Sequence, residues 1–368
     1  MECAHIPKIR YADFSQEFNQ KVSRMRIPAA GSMELTFRCN LRCKHCYISH
    51  GHSGIAGERE LNLSEIQYIM DEIVDEGCLW FLLTGGEPLL RRDFQDIYLY
   101  AKKKGLLITL FTNGTMITPR VADFLAEWLP FSVELTLYGH TQETYEKVTG
   151  IPGSHARCRH GIELLIDRGV PLKLKTMVLT LNQHELWDMK IFAEDLKLDF
   201  RYDGIINPGI EDSKSPLSMR LPPEDFVELE RIDEARSERL SKMFNERAGI
   251  KDQSRKLYRC LAGINGFHID PYGKLSLCML ERKPEYDLRN GSFHEGWNTA
   301  IPKLREKEYG NGFRCIQCDL RLACSQCPAM SQLENKNPAI PVEYVCQVTQ
   351  LRAKTFREKF TDNYQRVR

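Results

Sequence analysis

Long apolar runs are missing from this chain of 368 residues. A helix that spans a bilayer needs about 20 consecutive apolar residues. The longest apolar runs here, such as Leu79 to Leu83, are the size of a strand. The opening segment, Met1 to Arg10, mixes charge with proline and lacks the apolar core of a signal peptide. Both absences predict a cytoplasmic protein with no membrane partner. Net charge is also missing: 51 Lys and Arg against 50 Asp and Glu leave +1 at pH 7. Nothing of that size draws the chain to nucleic acid, and no nucleic-acid partner is expected. Internal repeats and low-complexity tracts are absent as well.

Cysteine is plentiful, with thirteen in all. A reducing compartment does not favour structural disulfides, so clustered cysteines there read as metal-binding or catalytic thiolates. Cys39, Cys43 and Cys46 form one cluster, and seven more lie between 260 and 346. Cys3, Cys78 and Cys158 stand alone.

A domain takes about 100–200 residues, so the length suggests two domains, or one large α/β domain with an appendage. Residues 32–208 alternate short apolar runs with helical patterns. The runs are Met33–Phe37, Cys78–Leu83, Leu107–Phe111, Ser132–Tyr138, Leu172–Leu179 and Phe200–Ile206. Between them, helical spacing marks Ile66 to Val74, Phe94 to Lys103, Val121 to Trp128, Cys158 to Asp167 and Glu185 to Lys197. Such alternation predicts a parallel sheet with right-handed crossovers and its chemistry at the carboxyl ends of the strands. Residues 1–31 form an N-terminal extension. Residues 209–259 read as a linker followed by a charged, surface-exposed helical segment. Residues 260–347 form a cysteine-rich part with little periodicity, and 348–368 a closing helix.

The first cysteine group reads Cys39-Asn40-Leu41-Arg42-Cys43-Lys44-His45-Cys46. Three thiolates in one loop after a strand can converge on one inorganic centre. Iron–sulfur clusters favour cysteine ligands, and a four-iron cluster held by three thiolates leaves one iron open. Zinc is the alternative, with His45 or His50 as fourth ligand, because structural zinc sites close with four protein ligands.

This CxxxCxxC loop, followed one strand–helix unit later by Gly85-Gly86-Glu87-Pro88, resembles the radical S-adenosylmethionine (SAM) superfamily. The resemblance implies a partial (βα)6 TIM-like barrel. It implies that Cys39, Cys43 and Cys46 hold a 4Fe-4S cluster whose open iron binds SAM. Gly85, Gly86 and Glu87 would lie beside the methionine amine, with Pro88 completing the cofactor-binding motif, and His45 near the adenine. The reduced cluster would cleave SAM to a 5′-deoxyadenosyl radical. Asn113, Thr136, Tyr138 and Asn182, at strand ends, are weaker candidates for SAM or substrate contact, since each also suits a turn or cap. His140 and His160 read as exposed helix-start and helix-face residues.

The C-terminal cysteines are Cys260, Cys278, Cys315, Cys318, Cys324, Cys327 and Cys346. Two close pairs suggest a zinc ribbon, yet seven exceed one zinc site and fall one short of two. The set resembles the SPASM domain of radical SAM enzymes that modify peptides and proteins. That resemblance implies two auxiliary 4Fe-4S clusters, one on Cys260, Cys278 and Cys327, the other on Cys315, Cys318, Cys324 and Cys346. One departure is that Ser325-Gln326 stands where the family has three residues.

The implied function is a maturase acting on a ribosomally made peptide or protein side chain. An electron donor such as flavodoxin or ferredoxin is expected. Only about thirty residues precede the first strand, so leader recognition is expected to need a partner such as a PqqD-like peptide chaperone. Sulfatase-maturing relatives carry an acidic residue where this chain has Met279. The alternatives are an oxidase of a small molecule such as a haem precursor, or a non-catalytic metal-bearing scaffold. No catalytic side chain can be named from the sequence.

Overall fold

The structure, a computed structural model, describes residues 10–48, 59–211, 213–283, 285–310 and 313–366, with the side chains of 12 and 358–366 set aside. Cys3 and His50 lie outside the described residues. Six strands run in sequence order: β1 (Ala30–Glu34), β2 (Trp80–Thr84), β3 (Leu107–Thr112), β4 (Ser132–Thr136), β5 (Leu172–Met177) and β6 (Asp199–Asp203). All pair in parallel, each with its sequence neighbour. Helices cross over between them, as the alternation predicts.

The sheet does not close on itself. The free edge of β1 takes β7 (Gly266–Ile269), also parallel. β8 (Lys274–Ser276) and β9 (Tyr286–Asp287) then continue it antiparallel. One nine-stranded sheet therefore runs from the barrel into the cysteine-rich part.

The two-residue period of the strands sorts their side chains. In β3, Ile108 and Leu110 are buried under the helices, while Thr109 and Phe111 point to the concave side. The covering helix Leu63–Asp75 buries Ile66, Ile69, Met70 and Ile73, each worth about 1.5–3 kcal/mol. Its cap is Asn62, which exchanges hydrogen bonds with Glu65 in a capping box.

β1 starts earlier and stops earlier than the apolar run Met33–Phe37. The amide of Phe37 donates to the Glu60 carboxylate at 3.2 Å instead of to a strand, so the regular ladder ends and the cysteine loop begins. A helix at Gln142–Thr149, unmarked by apolar spacing, precedes the helix Ser154–Asp167.

The charged segment after the linker stays largely exposed, as expected of a surface helix, but buries a stripe. It forms two helices, Pro223–Ile232 and Glu234–Arg247, whose Phe226, Glu230 and Phe244 are fully buried. Glu230 accepts from Arg236 and from Arg352 of the closing helix, which spans Glu343–Arg366. Buried charges persist when paired in this way. No helix among the described residues is long and apolar enough to cross a membrane.

Candidate functional site

The first cysteine loop sits at the carboxyl end of β1, over the concave face of the sheet. Two backbone bonds pin it to the end of helix Gln142–Thr149: the amides of Arg42 and Lys44 donate to Thr149 and Val148 at 2.8 and 3.0 Å. Asn113, at the end of β3, donates to Asn40 at 3.0 Å and lies 3.9 Å from the Cys39 sulfur. The Tyr138 hydroxyl hydrogen-bonds the Cys43 thiol. The His45 ring packs 5.3 Å from that of Tyr138.

These side chains line a cavity of about 900 Å3. Cys39, Cys43, Cys46, His45, Gly85, Gly86, Asn113 and Thr136, all singled out in the sequence, meet on its wall, as does Tyr138. The glycines are sterically required. A Cβ on Gly85 would lie 2.4 Å from the Thr36 carbonyl, and one on Gly86 would lie 2.3 Å from that of Arg38. The Gly86 amide donates to the Thr36 carbonyl at 2.7 Å, which locks the end of β2 against the cysteine loop.

Three candidates are not on that wall. Glu87 is fully buried and turned into the protein. It accepts from Thr112, from the Asn113 amide and from the Leu89 amide at 2.8, 2.8 and 3.2 Å. Burial lifts its carboxyl to about 7 against those hydrogen bonds. Its role here is to hold the end of β3 beside the glycines. Pro88 is buried at the start of a single 3-10 turn. Asn182 bonds the carbonyls of Tyr138 and Met177 and the amide of Leu179, which ties together the ends of β4 and β5. His140 is half-buried against Phe192, and His160 is exposed beside Glu163.

Lys175 on β5 was not foreseen. It opens into the same cavity, over the Phe111 ring and 3.4 Å from Glu134. Burial lowers its ammonium to about 7, opposed by Glu134. Strand parity is the signal that could have found it, since it sits opposite Thr136 in the register of β4 and β5. The wall carries Arg38, Arg42 and Lys175 but no carboxylate among the described residues.

Donor chemistry tests what the cysteine loop could hold. Burial raises all three thiols, Cys39 to about 12. Thiols so buried keep their protons at neutral pH unless a metal cation displaces them. The three lie close enough to influence one another's charge. A multi-iron cluster with one open corner fits this set, and the cavity beside it leaves room for a nucleotide.

The C-terminal cysteines divide by proximity. Cys278 interacts with Cys327 and Cys260. Cys315 interacts with Cys346, Cys324 and Cys318. Amides of Leu280 and Glu281 point at the Cys278 sulfur, and those of Ala329 and Met330 at Cys327. Such dipoles favour thiolate charge. A second cavity, of about 740 Å3, is lined by six of the seven, all but Cys278. Cys78 and Cys158 are buried in the core of the sheet and its helices.

An open parallel sheet with a three-thiolate loop at the end of its first strand and a glycine pair at the end of its second defines a class of cofactor-using enzyme. Residues 33–193 match the radical SAM superfamily. They form a radical SAM domain. Among curated relatives, "AdoMet-dependent heme synthase" of Methanosarcina barkeri is 26% identical over 84% of this chain and 93% of its own length. The subtilosin biosynthesis protein AlbA of Bacillus subtilis is 28% identical over 75% of this chain and 60% of its own. SuiB of Streptococcus suis, solved with S-adenosylmethionine and with the precursor peptide SuiA, shares the fold. It has a TM-score of 0.69 in both states, at 14% and 15% identity, over 94% of this chain and 83% and 84% of its own.

Proposed function

We propose that this enzyme modifies a ribosomally made peptide or a protein side chain by hydrogen abstraction, with Cys39, Cys43 and Cys46 holding the cluster that binds SAM. The single observation that carries the reading is the cavity into which all three thiols, the Gly85-Gly86 backbone and Lys175 open together. The bound cluster supplies the electron that splits SAM into methionine and a 5′-deoxyadenosyl radical.

The chain's own residues do the rest. The Gly85-Gly86 turn, free of Cβ atoms, lets the methionine amine approach the backbone. Lys175 meets the carboxylate of SAM across the cavity. His45 and Tyr138 give the adenine an aromatic surface. Phe111 and Met177 keep water from the reacting atoms. Cys260, Cys278 and Cys327 hold one auxiliary 4Fe-4S cluster, and Cys315, Cys318, Cys324 and Cys346 a second. The grouping of the seven thiols supports that division. A flavodoxin or ferredoxin supplies electrons, and a PqqD-like chaperone delivers the peptide leader. AlbA and the SuiB complex with SuiA support a peptide as substrate.

One observation favours a second reading, oxidation of a haem precursor. The relative named as a heme synthase is matched over 93% of its length. A wall that carries three cations and no carboxylate among the described residues also suits an acidic tetrapyrrole. Anaerobic incubation of the reduced, iron-loaded enzyme with SAM separates the two. A precursor peptide should come out changed in mass with formation of 5′-deoxyadenosine. If only a tetrapyrrole is consumed, the second reading replaces the first. If no 5′-deoxyadenosine forms with either, both fail.

A further inference from the structure

The three-thiol group Cys260, Cys278 and Cys327 has a buried carboxylate beside it. Glu281 lies three residues after Cys278, is 6% exposed, and its amide donates to the Cys278 sulfur at 3.4 Å. Its side chain accepts from the Tyr258 hydroxyl at 2.6 Å. Tyr258 is two residues before Cys260 and lies within electrostatic reach of Cys278 and Cys327. Glu281 itself acts on the Cys327 thiol. Cys278 and Cys327 thus lie near the Tyr258–Glu281 pair, and Cys260 follows Tyr258 by two residues.

A buried carboxylate that keeps its charge needs a compensating cation. Among the described residues, Glu281 forms no ion pair; Lys307 influences it from beyond salt-bridge distance. Three thiolates on a four-iron cluster leave one iron without a protein ligand, and that iron is a cation lacking an anion. We infer that Glu281 ligates this iron through its carboxylate, with the Tyr258 hydroxyl donating to the other oxygen. The first auxiliary cluster is then closed by oxygen, and its iron is not a substrate site. This rests on the assignment of Cys260, Cys278 and Cys327 to an auxiliary cluster.

The test uses the full chain carrying Cys39→Ala, Cys43→Ala and Cys46→Ala, so that the SAM-binding cluster contributes no signal. Reconstituted and reduced, this protein should show an EPR spectrum unchanged by 13C-cyanide. Adding Glu281→Gln should expose the iron, so that cyanide shifts the spectrum and a 13C coupling appears while iron and sulfide counts stay the same. Tyr258→Phe should stay closed to cyanide, because the carboxylate remains. Cyanide binding with Glu281 intact would overturn the inference. So would opening by Tyr258→Phe and not by Glu281→Gln. A protein that binds no iron at the three cysteines would sink the cluster assignment itself, a different result from a cluster indifferent to Glu281.

Discussion

The carboxylate of Glu34 lies 2.8 Å from the guanidinium of Arg282, and Glu34 is wholly inaccessible to water. Glu34 ends β1, just before the first cysteine loop. Arg282 follows Cys278 by four residues. The same carboxylate accepts from Tyr47, next to Cys46, at 2.9 Å and lies 3.1 Å from His268 of β7. Burial alone would raise the Glu34 carboxyl, but Arg282 and His268 together hold it well below the ordinary range.

Arg282→Met should therefore leave a buried, underpaired carboxylate and cost about 3–5 kcal/mol. The apparent thermal midpoint of the cluster-loaded protein should drop, and the double variant with Glu34→Gln should regain most of the loss. An Arg282→Met protein as stable as the wild type would show that the pair does not join the two parts.

Cys43→Ala removes the most deeply buried thiol of the first group. SAM cleavage should be lost, and the iron count should fall by one cluster while the C-terminal iron remains. Cleavage that persists in this variant would make the ligand assignment wrong.

Cys318→Ala makes the converse case. Iron should leave the four-cysteine group, and SAM should still bind at the barrel. Iron and sulfide quantitation on the purified variant decides it, since an unchanged count would exclude Cys318 as a ligand.

Gly86→Ala forces a Cβ to within 2.3 Å of the Arg38 carbonyl. Backbone must move, and it is the backbone that joins the end of β2 to the cysteine loop. SAM affinity should fall about 10-fold or more, equal to at least about 1.4 kcal/mol, with the cluster retained. Binding titrations at wild-type affinity would show that this contact does not shape the site.

Lys175 should make SAM binding depend on pH. In the free enzyme its ammonium is charged below about pH 7 and neutral above. A hydrogen bond to a charged group is worth about 1.5–3 kcal/mol, so affinity for the SAM carboxylate should weaken as pH rises above about 7. Lys175→Met should bind more weakly at pH 6.5 and show a flat profile. Stability should run the other way. The unfolded chain keeps this proton up to about pH 10.4 and the folded one does not, so burying Lys175 costs less as pH climbs between those values. A wild-type binding profile flat from pH 6 to 9 would remove Lys175 from the site.

Much of the site was legible in the sequence because its signals are local. The cysteine spacing, the Gly85-Gly86 turn and the helix-period stretches each span a few residues, and their geometry follows from short-range sterics. The candidates that lie off the cavity wall do so for a nonlocal reason. Glu87 and Asn182 are polar residues at strand ends, as a site residue should be, but each meets backbone groups of a neighbouring strand and satisfies them. Lys175 was hidden by the opposite effect. A lysine within an apolar run reads as an edge or surface residue, and only the parity of β5 against β4 turns it inward.

By itself the sequence determined the kind of chemistry, a thiolate loop and two thiolate groups on a chain of alternating strands and helices. Ligand type and turn geometry are written in adjacent residues. Tertiary structure alone decided that β7 extends the barrel sheet along β1 and that Glu34 meets Arg282 across 248 positions. Those facts depend on strand register and on buried charges finding partners, which arise only when segments far apart in sequence pack together.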